Sequence, residues 1–409
     1  MAPGHEVPSA APGVSDIGIV TLAPQSWHGP WRARQYLMNC LARIFPVVWV
    51  DPPRGWREML ARLARPQRSD RSFAAGRAEA LTILESRWLP KLYRPKPIAD
   101  LVERLRLAGA VRRLRRRGCR RIVLYLWRPE YAPALELMPH DLSCYHINDE
   151  YTFSPTEEPI ETGEQRLIRR AGLVIIHSPA LLGKKGHLNP HTLFVPNGVD
   201  YAEYATPRPE PSDLRAIPHP RVGYCGVIKT QMDFALLVEL ARRHAGWSFV
   251  FVGPRGNVTG QESLLAELVR LPNVYMMGER SVMDLPAYVQ HFDAGMLCYD
   301  VNDYTKFIYP LKLHEYLAAG RPVVGSPIRT LQDFTHIIAL ASGPDEWSRE
   351  LAAALEPSAL SIENVRARQE VARGFDWERH AATIAHTICE RLGTDRAACV
   401  DFTETPKAP

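Results

Sequence analysis

The sequence has no apolar run near the ~20 residues that a membrane-spanning helix needs. Its longest candidates, such as Phe45 to Val50, are strand-sized. The start, Met1 to Ser15, is rich in Ala, Pro and Gly and lacks the basic-then-apolar order of a signal peptide, so it reads as a disordered leader. An integral membrane protein and a secreted one are both disfavoured. Cysteines stand at 40, 119, 144, 225, 298, 389 and 399, with no C-x-x-C pair. Their odd number and wide spacing argue against a zinc ribbon or disulfide framework and fit reduced core thiols in the cytoplasm. The Gly253-Pro254-Arg255-Gly256 loop is not a G-x-G-x-x-G fingerprint, which weakens a dehydrogenase reading.

What is present suits a globular chain of 409 residues with 46% hydrophobic and 23% charged side chains. At ~100–200 residues per domain the natural count is two. The 35 prolines exceed the usual share and suit many short strand-to-helix loops. Charge is uneven: residues 1–200 hold 29 basic and 19 acidic side chains, and residues 201–409 hold 21 and 26. The two halves face different partners.

Strand and helix patterns alternate along the chain. Ile17 to Ala23, Val47 to Val50, Ile122 to Trp127, Leu142 to Ile147 and the run from Leu173 read as buried strands, with helices at Trp31 to Arg43 and Tyr131 to Met138. Such alternation implies a parallel sheet covered on both faces. The proline-rich residues 205–220 break the pattern, and it resumes at Arg221. The expected organisation is a leader (1–15), a first α/β domain (16–204), a linker (205–220), a second α/β domain (221–375), a terminal helix (376–392) and a disordered tail (393–409).

Two segments of the first half concentrate the positive charge. Arg54 to Arg71 has six arginines and two acidic residues, with Trp56, Met59, Leu60 and Leu63 at helical spacing. Leu101 to Arg121 has nine arginines and one acidic residue, with a stripe of Leu101, Leu105, Ala108, Val111 and Leu114. A basic face beside an apolar one suits a helix lying on an anionic membrane surface. An ordinary amphipathic helix with a solvated arginine face is the plainer reading. No aromatic-interleaved strand motif accompanies the charge, so nucleic acid is not expected as a partner.

The block Phe307 to Pro327, FIYPLKLHEYLAAGRPVVGSP, carries the most specific chemistry. A helix starting after Pro310 puts Lys312 and Glu315 on one face, three residues apart. An ammonium beside a helix amino end makes a phosphate site, and a carboxylate one turn on can accept both hydroxyls of a ribose. A surface pair capping a helix would look the same in isolation, but here an Ala-Ala-Gly turn and a Pro-Val-Val strand follow contiguously.

This block resembles the nucleotide-sugar-binding helix of GT-B glycosyltransferases, family-4-like enzymes of bacterial surface-polysaccharide synthesis. Val195-Pro196-Asn197-Gly198-Val199-Asp200 is similar to their interdomain segment. Gly223-Tyr224-Cys225-Gly226 resembles the first strand and glycine turn of their donor domain, and Phe251-Val252-Gly253-Pro254 the next strand end. Asp376-Trp377 and the helix after it resemble the terminal helix that crosses back to the first domain. The resemblance covers about residues 17–392 and implies two Rossmann-like doubly wound domains facing a cleft. It implies a sugar transferred from a nucleotide diphosphate sugar, with UDP favoured, to a saccharide or lipid-linked saccharide acceptor, on the inner face of the plasma membrane. Donor binding falls to Gly226, Lys229, Gly253, Arg280, Val282, Leu311, Lys312 and Glu315, and acceptor binding to Trp27, Trp31 and Glu150.

Two departures place the chain in a divergent branch. Phe307 stands where the family's first donor glutamate would be, and Lys229 alone matches the usual basic pair after the glycine turn. Retention of configuration is therefore not carried over. An inverting reaction needs a base, for which Asp149, at a predicted strand end, is the candidate, with His28 orienting an acceptor hydroxyl or the diphosphate. A turn carboxylate and a structural histidine are the plainer alternatives. Asp300-Val301-Asn302-Asp303 is not a D-x-D metal motif, so neither metal nor cofactor is expected. A nonhydrolysing sugar-nucleotide epimerase and an inactive nucleotide-sugar-binding protein are the competing classes.

Overall fold

The computed structural model describes residues 16–29, 31–53, 78–85, 95–151 and 160–394. The leader, the Arg54 to Arg71 segment and nearly all of the tail lie outside the described residues. Two parallel sheets organise the rest. The first contains β1 (Ile17–Leu22), β2 (Val47–Val50), β3 (Leu81–Leu84), β4 (Arg121–Leu126), β5 (Leu142–Ile147), β6 (Leu173–Ile176) and β7 (Thr192–Phe194), in the order β3-β2-β1-β4-β5-β6-β7. The second contains β8 (Arg221–Cys225), β9 (Ser248–Val252), β10 (Val274–Gly278), β11 (Ala294–Leu297), β12 (Val323–Gly325) and β13 (Ala339–Leu340), in the order β10-β9-β8-β11-β12-β13. The strands β1, β5, β8 and β9 are buried on both faces, which is why each reads as an almost unbroken apolar run.

Five helices bear on function: α1 (Ala33–Leu41), α2 (Lys96–Arg116), α3 (Pro179–Lys185), α4 (Leu311–Ala318) and α5 (Trp377–Arg391). Local chemistry starts two of them. The Ser178 hydroxyl accepts from the Leu181 N–H at α3, and the Asp376 carboxylate accepts from the Glu378 N–H at α5. α5 crosses back as expected and buries Trp377, Ala381, Ile384, Ala385 and Ile388 in the first-half core. The crossing is stitched by Val199 N–H to Phe375 O (2.9 Å), Trp377 N–H to Val199 O (3.0 Å) and Tyr201 N–H to the Asp376 carboxylate (3.2 Å).

Residues 205–220, expected to be a linker, instead form an ordered strap on the second half. Leu214 and Ile217 enter the second-half core, and Asp213 pairs with Arg280 at 2.7 Å. Cys40, Cys119, Cys144, Cys225 and Cys298 are free thiols, whereas Cys389 is disulfide-bonded, against the expectation of reduced thiols throughout. No helix among the described residues is long and apolar enough to cross a membrane.

The stripe expected along α2 splits between two environments. Leu107, Ala110 and Leu114 are buried, while Ile98, Leu101 and Leu105 stand 51%, 55% and 51% exposed, with Ala108 on the same face. Arg104, Arg112, Arg113, Arg115 and Arg116 are exposed beside them.

A buried ionic group fixes the end of β5. Lys185 Nζ lies 3.1 Å from Glu150 and 3.0 Å from Glu164, with all three side chains at most 1% exposed. Tyr145 donates its hydroxyl to Glu164 at 2.9 Å, and Lys184 pairs with Glu150 at 3.4 Å. Removing one partner of a buried pair leaves an uncompensated charge, which typically costs ~3–5 kcal/mol. Lys185→Ala should lower unfolding stability by about that amount, read as a fall in the urea midpoint.

Candidate active site

The chain turns sharply at the carboxyl ends of β8 and β9, where Gly226 and Gly253 have φ of 147° and 146°. A Cβ on Gly253 would stand 2.2 Å from Gly226 O, and one on Gly226 would stand 2.3 Å from Lys312 Cε and 2.7 Å from its Nζ. Glycine is the residue that tolerates both constraints. The turns are locked together by Gly226 N–H to Val252 O (2.7 Å) and Gly253 N–H to Gly278 O (2.8 Å).

Lys312, in the first turn of α4, fills the space above Gly226. Its Nζ sits 4.9 Å from the Tyr224 ring centroid. Burial works against its charge, but Tyr224, Tyr299 and Glu315 outweigh that and raise its pKa above the usual lysine range. Burial pushes Glu315 up to about 7, with Lys312 and Tyr204 pulling the other way. The buried Tyr204 hydroxyl favours the Glu315 carboxylate without meeting full hydrogen-bond geometry to any partner. Pro310 precedes α4 and supplies no side-chain cap, so the first N–H groups lack an intrahelical acceptor and the helix dipole favours an anion there.

Lys229 follows in a loop pinned by Ile228 N–H to Pro254 O (3.0 Å) and Gly256 N–H to Ile228 O (2.8 Å). Its pKa is lowered to about 8, first by burial and then by Lys312 and Arg32, with Asp149 opposing. Asp149 acts on it from the other sheet.

Asp149 follows β5 and faces the second half. Its carboxylate accepts from the Glu150 N–H at 2.9 Å and from the Tyr304 hydroxyl at 3.2 Å. Burial raises its pKa, while those two bonds, Lys229 and Arg34 counteract. Arg34, on α1, donates to Gln25 and Asn148 at 2.8 Å each, and its buried Nε has no hydrogen-bond partner among the described residues. Tyr151 donates to the same Asn148 oxygen at 2.8 Å. Arg32, Arg34, Asn148, Tyr151 and Tyr304 were not singled out from the sequence. The one available signal was the pair of arginines opening the helix after the first strand.

Other expected site residues are placed differently. Trp27 is fully buried, edge-on to Trp49 (5.1 Å) and Trp31 (5.4 Å), and its backbone N–H donates to the Asp51 carboxylate at 2.9 Å. It offers no surface to an acceptor. Glu150 is consumed by the ion pairs with Lys184 and Lys185, so it too is corrected to a structural role. Trp31 is half-buried beside Tyr36. His28 is exposed in the turn after β1 and makes no side-chain hydrogen bond among the described residues. Arg280 is engaged by Asp213 (2.7 Å) and the Tyr288 hydroxyl (2.8 Å), and Val282 is half-buried in the loop that follows. Leu311 packs onto the first-half core. Asp300 accepts from Gln261 at 3.3 Å and Asp303 pairs with Lys306 at 3.4 Å. Among the described residues no group of three or more His, Cys, Asp or Glu side chains is arranged to hold a metal ion.

Phe307 explains one departure in the sequence. It is buried in the first-half core, with the ammonium groups of Lys184 and Lys306 at 5.4 and 5.3 Å from its ring centroid. The position serves apolar contact between the halves.

Comparison with known proteins agrees with this architecture. Residues 219–357, within the second half, match the family described as Glycosyl transferases group 1. A Bacillus subtilis (strain 168) protein named for teichuronic acid biosynthesis as the glycosyltransferase TuaH is 35% identical over 175 residues, covering 41% of this chain and 43% of that protein. The chain is thus matched over less than half the length of that relative. The solved structure of trehalose-6-phosphate from E. coli bound with UDP-2-fluoro glucose superposes with a TM-score of 0.61 at 13% identity, covering 92% of this chain and 99% of that one. AviGT4, a glycosyltransferase of avilamycin A biosynthesis, gives 0.53 at 14% identity, covering 92% and 98%. At these identities the likeness establishes the fold, which is GT-B.

The coupling across the cleft is measurable. Because Asp149 favours the charged form of Lys229, Asp149→Asn should move the Lys229 titration below about 8. Lysines reductively methylated with ¹³C report this directly by NMR; an unshifted Lys229 resonance in the variant would show that the two groups are not coupled.

Proposed function

We propose that the protein transfers a sugar from a nucleotide diphosphate sugar, with UDP favoured, to a saccharide or lipid-linked saccharide acceptor in cell-surface polysaccharide synthesis. The observation that carries this reading is Lys312 lodged above the Gly226 turn, with Glu315 one turn on and Asp149 across the cleft. The diphosphate lies at the amino end of α4, where the uncapped N–H groups, Lys312 and Lys229 supply positive charge. These fixed charges stabilise the departing diphosphate without need of a metal. Glu315 accepts the ribose hydroxyls.

Asp149 takes the acceptor proton. Burial raises its pKa toward the range in which a carboxylate acts as a base, and Tyr304 holds one of its oxygens. A product of inverted configuration follows from a base on the opposite wall. Support for the acceptor class comes from the B. subtilis relative, whose name places it in teichuronic acid synthesis.

The exposed Ile98, Leu101 and Leu105, flanked by arginines, suit a peripheral contact with the anionic inner face of the plasma membrane. Each basic residue near such a surface contributes ~1 kcal/mol, an attraction that salt screens.

The donor assignment is tested by incubating the protein with UDP- and GDP-sugars. Lys312→Ala should lower turnover by about 10²–10³, and Glu315→Ala should chiefly weaken nucleotide binding. Unchanged UDP and GDP affinity in both variants by calorimetry would refute the assignment. Asp149→Asn should lose about 10²–10⁴ in transfer while still binding UDP; a retained product configuration would remove Asp149 from this role. For the membrane, flotation with phosphatidylglycerol vesicles should recover the protein at low salt and release it at high salt. Leu101→Asp/Leu105→Asp should abolish recovery, and a wild type that ignores the vesicles would sink the contact.

A further inference from the structure

A cavity of about 460 Å³ opens in the first half, away from the cationic cradle and unused by the steps above. It lies beyond the carboxyl ends of β1, β2 and β4, between the loops that follow them and α2. The strand order reverses between β1 and β4, and open α/β sheets bind ligands outside such a reversal. Its size falls within the ~300–1,000 Å³ of small-ligand sites.

We infer that this cavity is a subsite for a neutral, polyhydroxylated sugar unit of the acceptor, an inference that rests on the transferase reading. The wall chemistry sets the ligand class. Pro24, Pro52, Pro53 and Pro133 give rigid apolar edges suited to the C–H face of a pyranose. Two ion pairs supply the polar groups. Arg106 donates from Nε to Glu103 and from Nη1 to Asp51 O, both at 3.0 Å, and Arg128 donates to Glu130 at 3.1 and 2.7 Å. With Asp100 also in the wall, carboxylates outnumber guanidinium groups. A phosphate or uronate would meet repulsion there, whereas the carboxylate lone pairs left over can accept from sugar hydroxyls.

Arg128, in the cavity wall, leads from it toward the residues beside Asp149. The Arg128 guanidinium lies 4.5 Å from the Tyr151 ring centroid, and Tyr151 donates to Asn148, next to Asp149 in the chain. An acceptor seated in the cavity would therefore extend past Arg128 and Tyr151 toward the Asp149 carboxylate.

The test uses the full chain and saturation-transfer NMR with cellobiose, maltose and N,N′-diacetylchitobiose as neutral probes and glucuronic acid as the charged one. At least one neutral disaccharide should bind the wild type. Val102→Trp, which fills the cavity from α2, and Glu130→Ala, which removes an acceptor, should each weaken that binding by about 10-fold or more. Calorimetric UDP affinity should be unchanged in both variants, which also shows that they are folded. Disaccharide binding that survives in folded Val102→Trp, no neutral probe bound by the wild type, or a preference for glucuronic acid would each overturn the subsite. Loss of UDP binding in the wild type with cavity-dependent sugar binding intact would instead refute the transferase reading and leave the subsite standing.

Discussion

Lys312 enters the structure where Gly226 leaves no side chain, and both its place and its charge depend on that close approach. A buried ammonium needs compensation, which the Tyr224 ring beneath it and the Glu315 carboxyl on the same helix provide. The same cation then depresses Lys229, so the glycine turn governs two lysines at once. This concentration of positive charge at a strand edge and helix end makes the local potential favourable to an anion.

Closure of the two halves follows a different logic, that of apolar contact around a polar seam. Phe307 and Leu311 flank the start of α4 and both pack into first-half cores, while Asn197 donates to Tyr309 O at 2.7 Å. Tyr304, three residues before Phe307, is thereby brought to Asp149. One short stretch, Tyr304 to Glu315, thus carries the interdomain plug, the contact to the opposite carboxylate and the anion cradle.

The strands were largely legible because double burial leaves apolar runs that no surface strand would tolerate. Two strands escaped: Leu81–Leu84 lies among arginine-rich residues, and Ala339–Leu340 is only two residues long. Lys312 and Glu315 were legible because their relation is local, three residues along one helix. Asp149 and Tyr304 are separated by 155 residues, and no periodicity encodes such a meeting. Trp27 and Glu150 show the opposite error. Both flank strand ends, but packing against Trp49 and Trp31 turns the Trp27 ring inward, and Lys185 does the same for the Glu150 carboxylate. The proline-rich stretch lies between the sheets as its composition suggests, but composition does not reveal that Leu214 and Ile217 rest in the second-half core.

The chain passes between its halves twice, near Val199 and near Phe375, and backbone hydrogen bonds tie these passages side by side. With residues 205–220 strapped to the second half and α5 sunk into the first, neither passage has slack. Two bonded crossings act as an axle: they resist sliding and separation, and they leave rotation about a single line as the soft motion. A change of that one angle carries Lys229 and Tyr304 away from Asp149 together and returns them together.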